Sequence, residues 1–359
     1  MPEEHAALHA ELREVVRDLL AKTGSEAVPD WRAVARSGWL GLEVAEELDG
    51  AGASFAETAV VLREFGRVAA RGPYPAVAAL GLGALGLAEA GPGRDRLTAQ
   101  AVAGEVVPVL ALDGEVGGVP FALVRTSRGL VLRGGARFVP DAVGADRLLL
   151  PALDPDGATV LVVLAPDAPG LTVTGLPVLD ETRAFGEVGA EGVAVSEEAV
   201  WGLAEGAVRR LYDRAAVALA LDCLGSAEAM LDASVAYAKT RVQFGRPIGS
   251  FQAVKHACAD MLVKITVADR LVAAAVRGLA GEGDPVAAAM AKAYACASAV
   301  EVAGAAMQVH GGMGYTWESG IHVHLKRATL NRELFGSPAA HRELLAERYP
   351  ALARGDADT

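Results

Sequence analysis

Residues 240–252 read TRVQFGRPIGSFQ and lie between two long stretches of helical periodicity. Gly245, Pro247 and Gly249 prevent one helix from continuing through the segment, and Ser250 is suited to cap the helix that follows. The pattern therefore predicts a loop with two guanidinium groups, a phenyl ring and two amides at a helix start. Such a loop suits a pyrophosphate and a flat nucleotide, but arginine at a helix end is more often a cap or solvated, so both interpretations stay open.

A second break in the helical pattern follows further along the chain, where residues 308–315 read QVHGGMGY. Three glycines within four positions leave backbone N–H groups able to approach a phosphate or a sugar. A glycine-rich turn is weak evidence by itself. His310 alone is more often a core or supporting histidine than a catalyst.

The pattern around these segments indicates three domains. Residues 204–359 carry helical periodicity in stretches longer than 25 residues, which is typical of a bundle. Residues 103–203 hold short Val- and Leu-rich runs separated by Gly, Pro, Asp and Ser, which predicts strands. Residues 1–102 read as helices with Gly and Pro breaks. We predict an α+β chain: an N-terminal helical domain, a sandwich- or barrel-like β domain and a C-terminal four-helix bundle.

Composition excludes several classes of protein. The 359 residues include 33 Lys and Arg against 45 Asp and Glu, a net charge of −12, and 52% of them are hydrophobic. A chain this apolar is not intrinsically disordered, and its acidity argues against nucleic-acid binding. Spacing of His, Cys and carboxylates resembles no metal site.

The chain's start is acidic and amphipathic, MPEEHAALHAELREVV, which is not the pattern of a signal peptide. The apolar runs fall short of a membrane span, so we expect a cytoplasmic protein without one. The three cysteines, Cys223, Cys258 and Cys296, are predicted to be buried free thiols.

Residues 81–86, GLGALG, match the G-x-G-x-x-G dinucleotide motif. That motif needs a preceding strand and a following helix within a βαβ unit. The flanking residues continue an Ala- and Leu-rich helical pattern, so we interpret these glycines as sites of close helix packing.

The two loop segments together resemble the C-terminal signatures of the acyl-CoA dehydrogenase family, over RVQFGRPIGSFQAVKHACADM and QVHGGMGYTWESGIHVHLKRA. Residues 29–70 are similar to the family's N-terminal helical domain, so the resemblance covers nearly the whole chain. It implies the same order of domains. It also implies FAD-dependent α,β-desaturation of a CoA thioester, in which a carboxylate removes the α-proton and the β-hydride passes to the flavin.

The resemblance also implies cofactor contacts and partners. In the family, the bundle loop of one subunit embraces the ADP half of an FAD held mainly by its neighbour. The matching residues are Arg241, Gln243, Phe244, Ile248 and Gln252 in the first segment and Gln308, Gly311 and Gly312 in the second. An oligomer follows, either a homodimer or tetramer or a heterotetramer with a related subunit. The implied substrate is an acyl-CoA, and the implied electron acceptor is an electron-transfer flavoprotein.

The chain departs from the family at the catalytic base. The usual base is the Glu of a Y-E-G-T stretch, and residues 334–337 read LFGS instead, so Phe335 stands at its position. Some members carry the base on the helix before RVQFG, which corresponds to about Ala215 here. Asp222 shares that helical face about two turns (~10 Å) away, and Glu333 precedes Phe335 by two positions. Both are weak candidates for a relocated base, and Asp222 is more simply an ion-paired or packing carboxylate.

The β domain departs as well. ALDGEVGGVPFALV replaces the family's T-E-P-x-A-G-S-D loop, and residues 136–140 replace a K-x-W-I-T segment. Phe138 stands in place of the indole near the flavin, and Pro140 has neither the hydroxyl nor an N–H. The half-site for a neighbour's ADP is thus retained, whereas flavin-side positions differ.

Two functions remain open from the sequence. One is an active FAD acyl-CoA dehydrogenase whose base has moved to Asp222 or Glu333. The other is a catalytically silent partner that supplies the ADP side of the FAD site in an α2β2 complex. An NAD enzyme built on residues 81–86 is disfavoured because no βαβ alternation follows them.

Overall fold

The computed structural model describes residues 2–23, 28–115, 117–281 and 283–353. The chain divides into two compact units, residues 1–61 with 71–215, and residues 62–70 with 216–359. Helices come first, a β-sheet follows, and helices complete the described chain, which confirms the predicted α+β class and the order of elements. The predicted domain boundaries after residues 102 and 203 stay a prediction.

Helices dominate the first hundred described residues: α1 (Pro2–Ala21), α2 (Trp31–Arg36), α3 (Phe55–Arg67), α4 (Leu82–Leu87) and α5 (Pro92–Val102). The start of α3 shows how the sequence specifies them. Ser54 Oγ accepts the N–H of Ala56, while Glu57 Oε2 accepts the N–H of Ser54 at 2.9 Å. This reciprocal pair satisfies backbone donors that a helix start leaves without partners.

The glycines of residues 81–86 lie in helical structure. A π-helical segment, Pro75–Gly81, continues directly into α4. A Cβ on Gly81 would lie 2.3 Å from the carbonyl oxygen of Pro108, and one on Gly83 would lie 2.7 Å from Nε of Arg214. These two glycines therefore permit close packing, as predicted, and no strand precedes them within described residues 28–80.

The middle of the chain forms an eight-stranded sheet in the order β6-β7-β3-β2-β4-β5-β8, with β1 paired to β4. Its strands are β1 (Pro108–Leu110), β2 (Phe121–Thr126), β3 (Gly129–Pro140), β4 (Arg147–Leu153), β5 (Thr159–Leu164), β6 (Leu171–Leu176), β7 (Phe185–Val195) and β8 (Val200–Gly202). Period-two burial, as at Phe121 and Leu123 of β2, places one face of a strand in the core. Leu132, Leu148 and Val162 are among the fully buried core side chains.

The chain ends in long helices: α6 (Ala207–Thr240), α7 (Gln252–Leu279), α8 (Pro285–His310), α9 (Ile321–Glu333) and α10 (Pro338–Ala353). α8 begins with Asp284, whose Oδ1 accepts the N–H groups of Val286 and Ala287 at 3.0 Å each. Alanines recur along the buried length of α8, and such small side chains allow neighbouring helices to approach closely.

Within the described ranges, one helix is long and apolar enough to cross a membrane by length and composition alone, in the span Pro285–Tyr315. The expectation that every apolar stretch falls short of that length is therefore wrong. The alanine-rich composition raises the mean hydropathy of this helix, although the helix has no continuous run of large apolar side chains. In the tested window, 61% is buried inside the protein, as in the core helix of a bundle.

Candidate functional site

The segment between α6 and α7 is a tight β-hairpin. Its strands are β9 (Val242–Gln243) and β10 (Arg246–Pro247), in antiparallel register. The two turn residues have positive φ, 52° at Phe244 and 75° at Gly245. Two successive positive φ values are typical of the type I′ turn, whose twist matches that of paired strands. A defined hairpin therefore takes the place of the predicted loop.

The hairpin presents its polar side chains to solvent. Arg241, Gln243 and Arg246 are exposed, and the Phe244 side chain is 91% exposed. Arg246 lies over the Phe251 ring, 4.2 Å from its centroid. Within the described ranges, no hydrogen bond or ion pair of the Arg241 guanidinium is recorded, so that group is available to an anion.

The hairpin is held against the end of α6. A Cβ on Gly249 would lie 2.9 Å from the carbonyl oxygen of Ala238, so only glycine permits this approach without a shift. Ile248 is half-buried and Gln252 is exposed at the first position of α7. Phe251 occupies the N-cap without a side-chain bond, so the prediction that Ser250 caps α7 is wrong.

The glycine-rich segment begins where α8 ends. Gly311 has φ 58° and ψ −137°, a conformation that glycine adopts far more readily than other residues. A Cβ on Gly311 or Gly312 would meet nothing within 4 Å, so their backbone is open to an approaching ligand. Gly314 instead packs against α8, where a Cβ would lie 2.8 Å from the Met307 carbonyl oxygen. Gln308 is exposed one turn earlier.

A ring stack that the sequence did not reveal joins these two segments. The rings of Tyr237 and His310 have centroids 4.5 Å apart and an interplanar angle of 20°. Tyr237 lies one turn before Arg241, and His310 directly precedes Gly311. The structure thus brings the two sequence-predicted segments together. In the sequence, the one indication of this contact is that Tyr237 stands four residues before Arg241.

Asp222 lies in a buried hydrogen-bonded network. Its oxygens accept from Nε and Nη2 of Arg327, with a closest distance of 2.6 Å, and from Nδ2 of Asn331 at 2.6 Å. Arg327 also donates through Nη1 to the Ala70 carbonyl at 3.0 Å. Asp222 is 4% exposed, and both partners are fully buried. These contacts favour the ion-paired interpretation of Asp222 over a role as base.

A histidine that was not singled out in the sequence, His324, lies within the electrostatic influence of Arg327 and Asp222. His324 Nδ1 lies 2.8 Å from Ser226 Oγ. Burial, together with the positive charge of Arg327, lowers the pKa of His324 to about 4. His324 is therefore neutral at physiological pH, because partial burial removes water that would stabilise the imidazolium.

The side chains at the other two candidate base positions, Glu333 and Phe335, are poorly suited to remove a proton from a substrate. Glu333 ends α9 with its side chain 54% exposed, and one oxygen lies 2.7 Å from Nε of the adjacent Arg332. Phe335 is buried, has φ 53°, and its carbonyl oxygen lies 3.0 Å from Nε2 of His341. Phe335 is the residue that the resemblance predicts at the position of the family's usual carboxylate, and that correspondence stays a prediction.

In the first unit, the residues predicted to stand at flavin-side positions lie at or beside an irregularity of the sheet. Phe138 has φ 51° within the bulge between Ala136 and Val139, and its ring packs edge-on to Phe185 at 6.4 Å. Pro140 is buried. Neither side chain can donate a hydrogen bond.

The cysteines are free thiols. Cys223 and Cys296 are buried as predicted, whereas Cys258 is only half-buried. The hydrogen bond to Cys296 and burial raise the pKa of the Cys223 thiol. Burial opposes ionisation of Cys296, but bonds with Cys223 and Lys292 outweigh it and lower its pKa. Across the described ranges, no group of three or more His, Cys, Asp or Glu residues could hold a metal.

These residues fit one part of FAD better than another. The exposed guanidinium and amide of the hairpin, and the open backbone at Gly311 and Gly312, suit the pyrophosphate and adenosine. Phe138 and Phe335 supply neither a donor to the flavin nor a proton acceptor.

Comparisons with known proteins identify the family of this chain. The family model for the acyl-CoA dehydrogenase N-terminal domain matches residues 2–105, and that for the C-terminal domain matches residues 205–349. Acyl-CoA dehydrogenase FadE34 of Mycobacterium tuberculosis is 34% identical over 333 residues, which are 90% of this chain. The match covers 43% of FadE34, so this chain spans less than half of that relative's length.

Other similarities extend over the full length of the proteins compared. Acyl-CoA dehydrogenase IpdE2 of Mycolicibacterium smegmatis is 32% identical, with 89% of this chain and 88% of IpdE2 covered. The crystal structure of the ChsE4-ChsE5 complex from Mycobacterium tuberculosis is 25% identical with a TM-score of 0.87, covering 95% of this chain and 97% of that one. The chain therefore belongs to the acyl-CoA dehydrogenase family, which implies an acyl-CoA oxidoreductase with a flavin cofactor.

Proposed function

We propose that this chain is the subunit without a base in a heteromeric FAD-dependent acyl-CoA dehydrogenase. It supplies ADP-side contacts to a shared FAD, and a related subunit supplies the carboxylate for α,β-desaturation of a CoA thioester. The observation that carries the proposal is the buried ring of Phe335 at the position of the usual base. A phenyl ring cannot accept the α-proton.

Neither of the two other candidate carboxylates, Asp222 and Glu333, is placed to replace that base. A general base must come within hydrogen-bonding reach of the proton that it removes. Asp222 is sequestered by Arg327 and Asn331, and Glu333 points to solvent beside Arg332. If two different subunits share one cofactor, one of them can lose the base and still retain the residues that contact the ADP half of FAD.

On this proposal, the chain's own residues bind and orient the cofactor. The Arg241 guanidinium neutralises the pyrophosphate, and the amides of Gln243, Gln252 and Gln308 donate to it or to the ribose. Phe244 and Ile248 offer apolar surface to the adenine, and the Gly311 and Gly312 backbone approaches the phosphates closely. When bound, FAD supplies the hydride acceptor for the desaturation.

The assembly belongs to the same proposal. The related solved structure is a complex of two differently named chains, ChsE4 and ChsE5, which supports a heteromer here. The exposed Phe244 at the hairpin tip suits insertion beside a partner's cofactor. A cytoplasmic location and an electron-transfer flavoprotein as acceptor complete the proposal.

Purification of the full chain, alone and co-expressed with a homologue that carries the Y-E-G-T glutamate, tests the proposal. We expect the chain alone to be colourless or weakly coloured, and the co-purified complex to show flavin absorbance that bleaches with an acyl-CoA. A chain that is saturated with FAD alone and bleaches with an acyl-CoA would instead establish the active-enzyme alternative.

A variant tests the cofactor site within that complex. Arg241→Ala is expected to weaken FAD binding about 10- to 100-fold, because a hydrogen bond to a charged group contributes about 1.5–3 kcal/mol. Arg270→Ala removes another exposed arginine, from α7, and serves as the matched control. Equal FAD content in both variants would contradict the assignment of Arg241.

A further inference from the structure

The stacked rings of Tyr237 and His310 form a contact between the hairpin end of α6 and the glycine end of α8. Their 4.5 Å centroid separation and 20° interplanar angle place them face to face. Both side chains are half-buried. An aromatic pair of this kind stabilises its own geometry beyond the effect of the area that it buries.

Each ring is tied to the segment that it precedes. The Tyr237 carbonyl oxygen accepts the N–H of Arg241 at 2.8 Å, so a shift of Tyr237 moves the base of the hairpin. His310 Nδ1 lies 2.8 Å from the Ala306 carbonyl oxygen, which fixes the orientation of the imidazole on α8. A Cβ on Gly314 would lie 3.3 Å from His310 Cβ, so the glycine turn folds back onto this residue.

We infer that the Tyr237–His310 stack is a positioning contact, which sets the spacing of the Arg241 hairpin and the Gly311 turn so that both reach one adenine dinucleotide. The inference rests on the proposed function, because it assigns the stack a role toward the same FAD. Neither ring needs to touch the ligand. The guanidinium and the glycine backbone can bind one pyrophosphate together only while their spacing is held, because the groups of a binding site must keep a closely defined geometry.

A positioning contact and a packing contact predict different results. Loss of simple packing lowers the free energy of unfolding and leaves the affinity of the folded protein for FAD unchanged. Loss of positioning lowers that affinity, and the second of the two mutations adds little because the first has already broken the contact.

The experiment measures FAD affinity, in the full chain with its co-expressed homologue, for His310→Ala, Tyr237→Ala and the double variant. We expect each single variant to weaken FAD binding about tenfold, which corresponds to about 1.4 kcal/mol, and the double variant to be no weaker than either. His310→Phe and Tyr237→Phe keep a ring and should restore most of the affinity. Tyr294→Ala, which removes another half-buried ring from α8, should leave FAD affinity unchanged.

Amide hydrogen exchange provides a readout without FAD. His310→Ala should accelerate exchange in residues 241–249 as well as in 308–315, and Tyr237→Ala should do the same. Acceleration confined to the mutated segment, or unchanged FAD affinity in both alanine variants, would overturn the inference. If the wild-type complex binds no FAD, the proposed function fails, and the exchange data alone decide whether the stack couples the two segments.

Discussion

Two regions of the C-terminal unit use their charged groups in opposite ways. Around Asp222, the carboxylate, the Arg327 guanidinium and the Asn331 amide are at most 4% exposed and bond to one another. On the hairpin, Arg241 and Gln243 are exposed, and Phe244 is 91% exposed at its tip. Residue type would not separate the two regions, since both consist of charged and amide side chains.

The difference follows from the cost of burial. A buried charge without a partner is strongly destabilising, so the Asp222 network requires its full set of contacts. The exposed donors of the hairpin carry no such cost, because water or a ligand can accept their hydrogen bonds. We therefore assign the buried region to stability and the exposed region to ligand binding.

The largest effect is expected from Asp222→Ala. It leaves the fully buried Arg327 guanidinium without its carboxylate, which is expected to lower the free energy of unfolding by about 3–5 kcal/mol. Denaturant unfolding of the full chain measures the change. The control is Asp232→Ala, which removes an exposed partner of Arg67 and should cost at most about 1 kcal/mol. Equal effects would show that the buried network contributes no more than a surface pair.

The next effect concerns acid stability through His324. Its pKa is about 4 in the folded chain against 6.5 as the ordinary value, so the unfolded chain binds more protons between these pH values. This group's contribution is present above pH 6.5 and is lost as the pH falls toward 4, by about 3 kcal/mol in total. Carboxylates also titrate in this range, so the measured quantity is the difference from His324→Gln.

His324→Gln should show a shallower loss of unfolding free energy between pH 6.5 and 4 than the wild-type chain. His256→Gln, which removes an exposed histidine from α7, is the matched control. Parallel profiles for wild type and His324→Gln would contradict the buried neutral state of His324.

A smaller effect on stability should distinguish Gly311 from Gly312, the two glycines proposed to approach the phosphates of FAD. Gly311 has φ 58° and ψ −137°, so Gly311→Ala is expected to cost about 1–3 kcal/mol in backbone strain. The neighbouring Gly312 does not have positive φ, and a Cβ there meets nothing within 4 Å, so Gly312→Ala should change stability by less than about 0.5 kcal/mol. Thermal unfolding compares the two. A stable Gly311→Ala chain would show that this turn is not strained.

The order of elements was readable from the sequence because periodicity reports on burial. The change from helical to strand period and back predicted the order of elements, and the flanking residues of GLGALG correctly indicated a helix. The turn between α6 and α7 was located by its glycines and proline. Its hairpin form was not predicted, because positive φ at Phe244 depends on the twist of two very short paired strands.

The contacts that could not be predicted from the sequence are those between residues far apart in the chain. The distance from Tyr237 to His310, or from Asp222 to Arg327, is set by how three helices pack, and no local pattern encodes it. The TRVQFGRPIGSFQ segment and the glycine turn were identified from resemblance and composition. That one ring stack joins them emerged only from the folded structure. Their binding of FAD stays a prediction.

The smallest effect on stability, and the sharpest test of the exposed region, is expected from Phe244→Ala. Because the side chain is 91% exposed, its removal should change the free energy of unfolding by less than about 0.5 kcal/mol. The proposed apolar contact with the adenine predicts that FAD binding in the co-expressed complex nevertheless weakens by about 1 kcal/mol or more. Phe251→Ala is the control: it removes the half-buried ring beneath Arg246 and should affect unfolding more than Phe244→Ala does. If Phe244→Ala leaves both quantities unchanged, the exposed ring has no binding role. The contrast with the buried Asp222 network would then reflect solvent exposure alone.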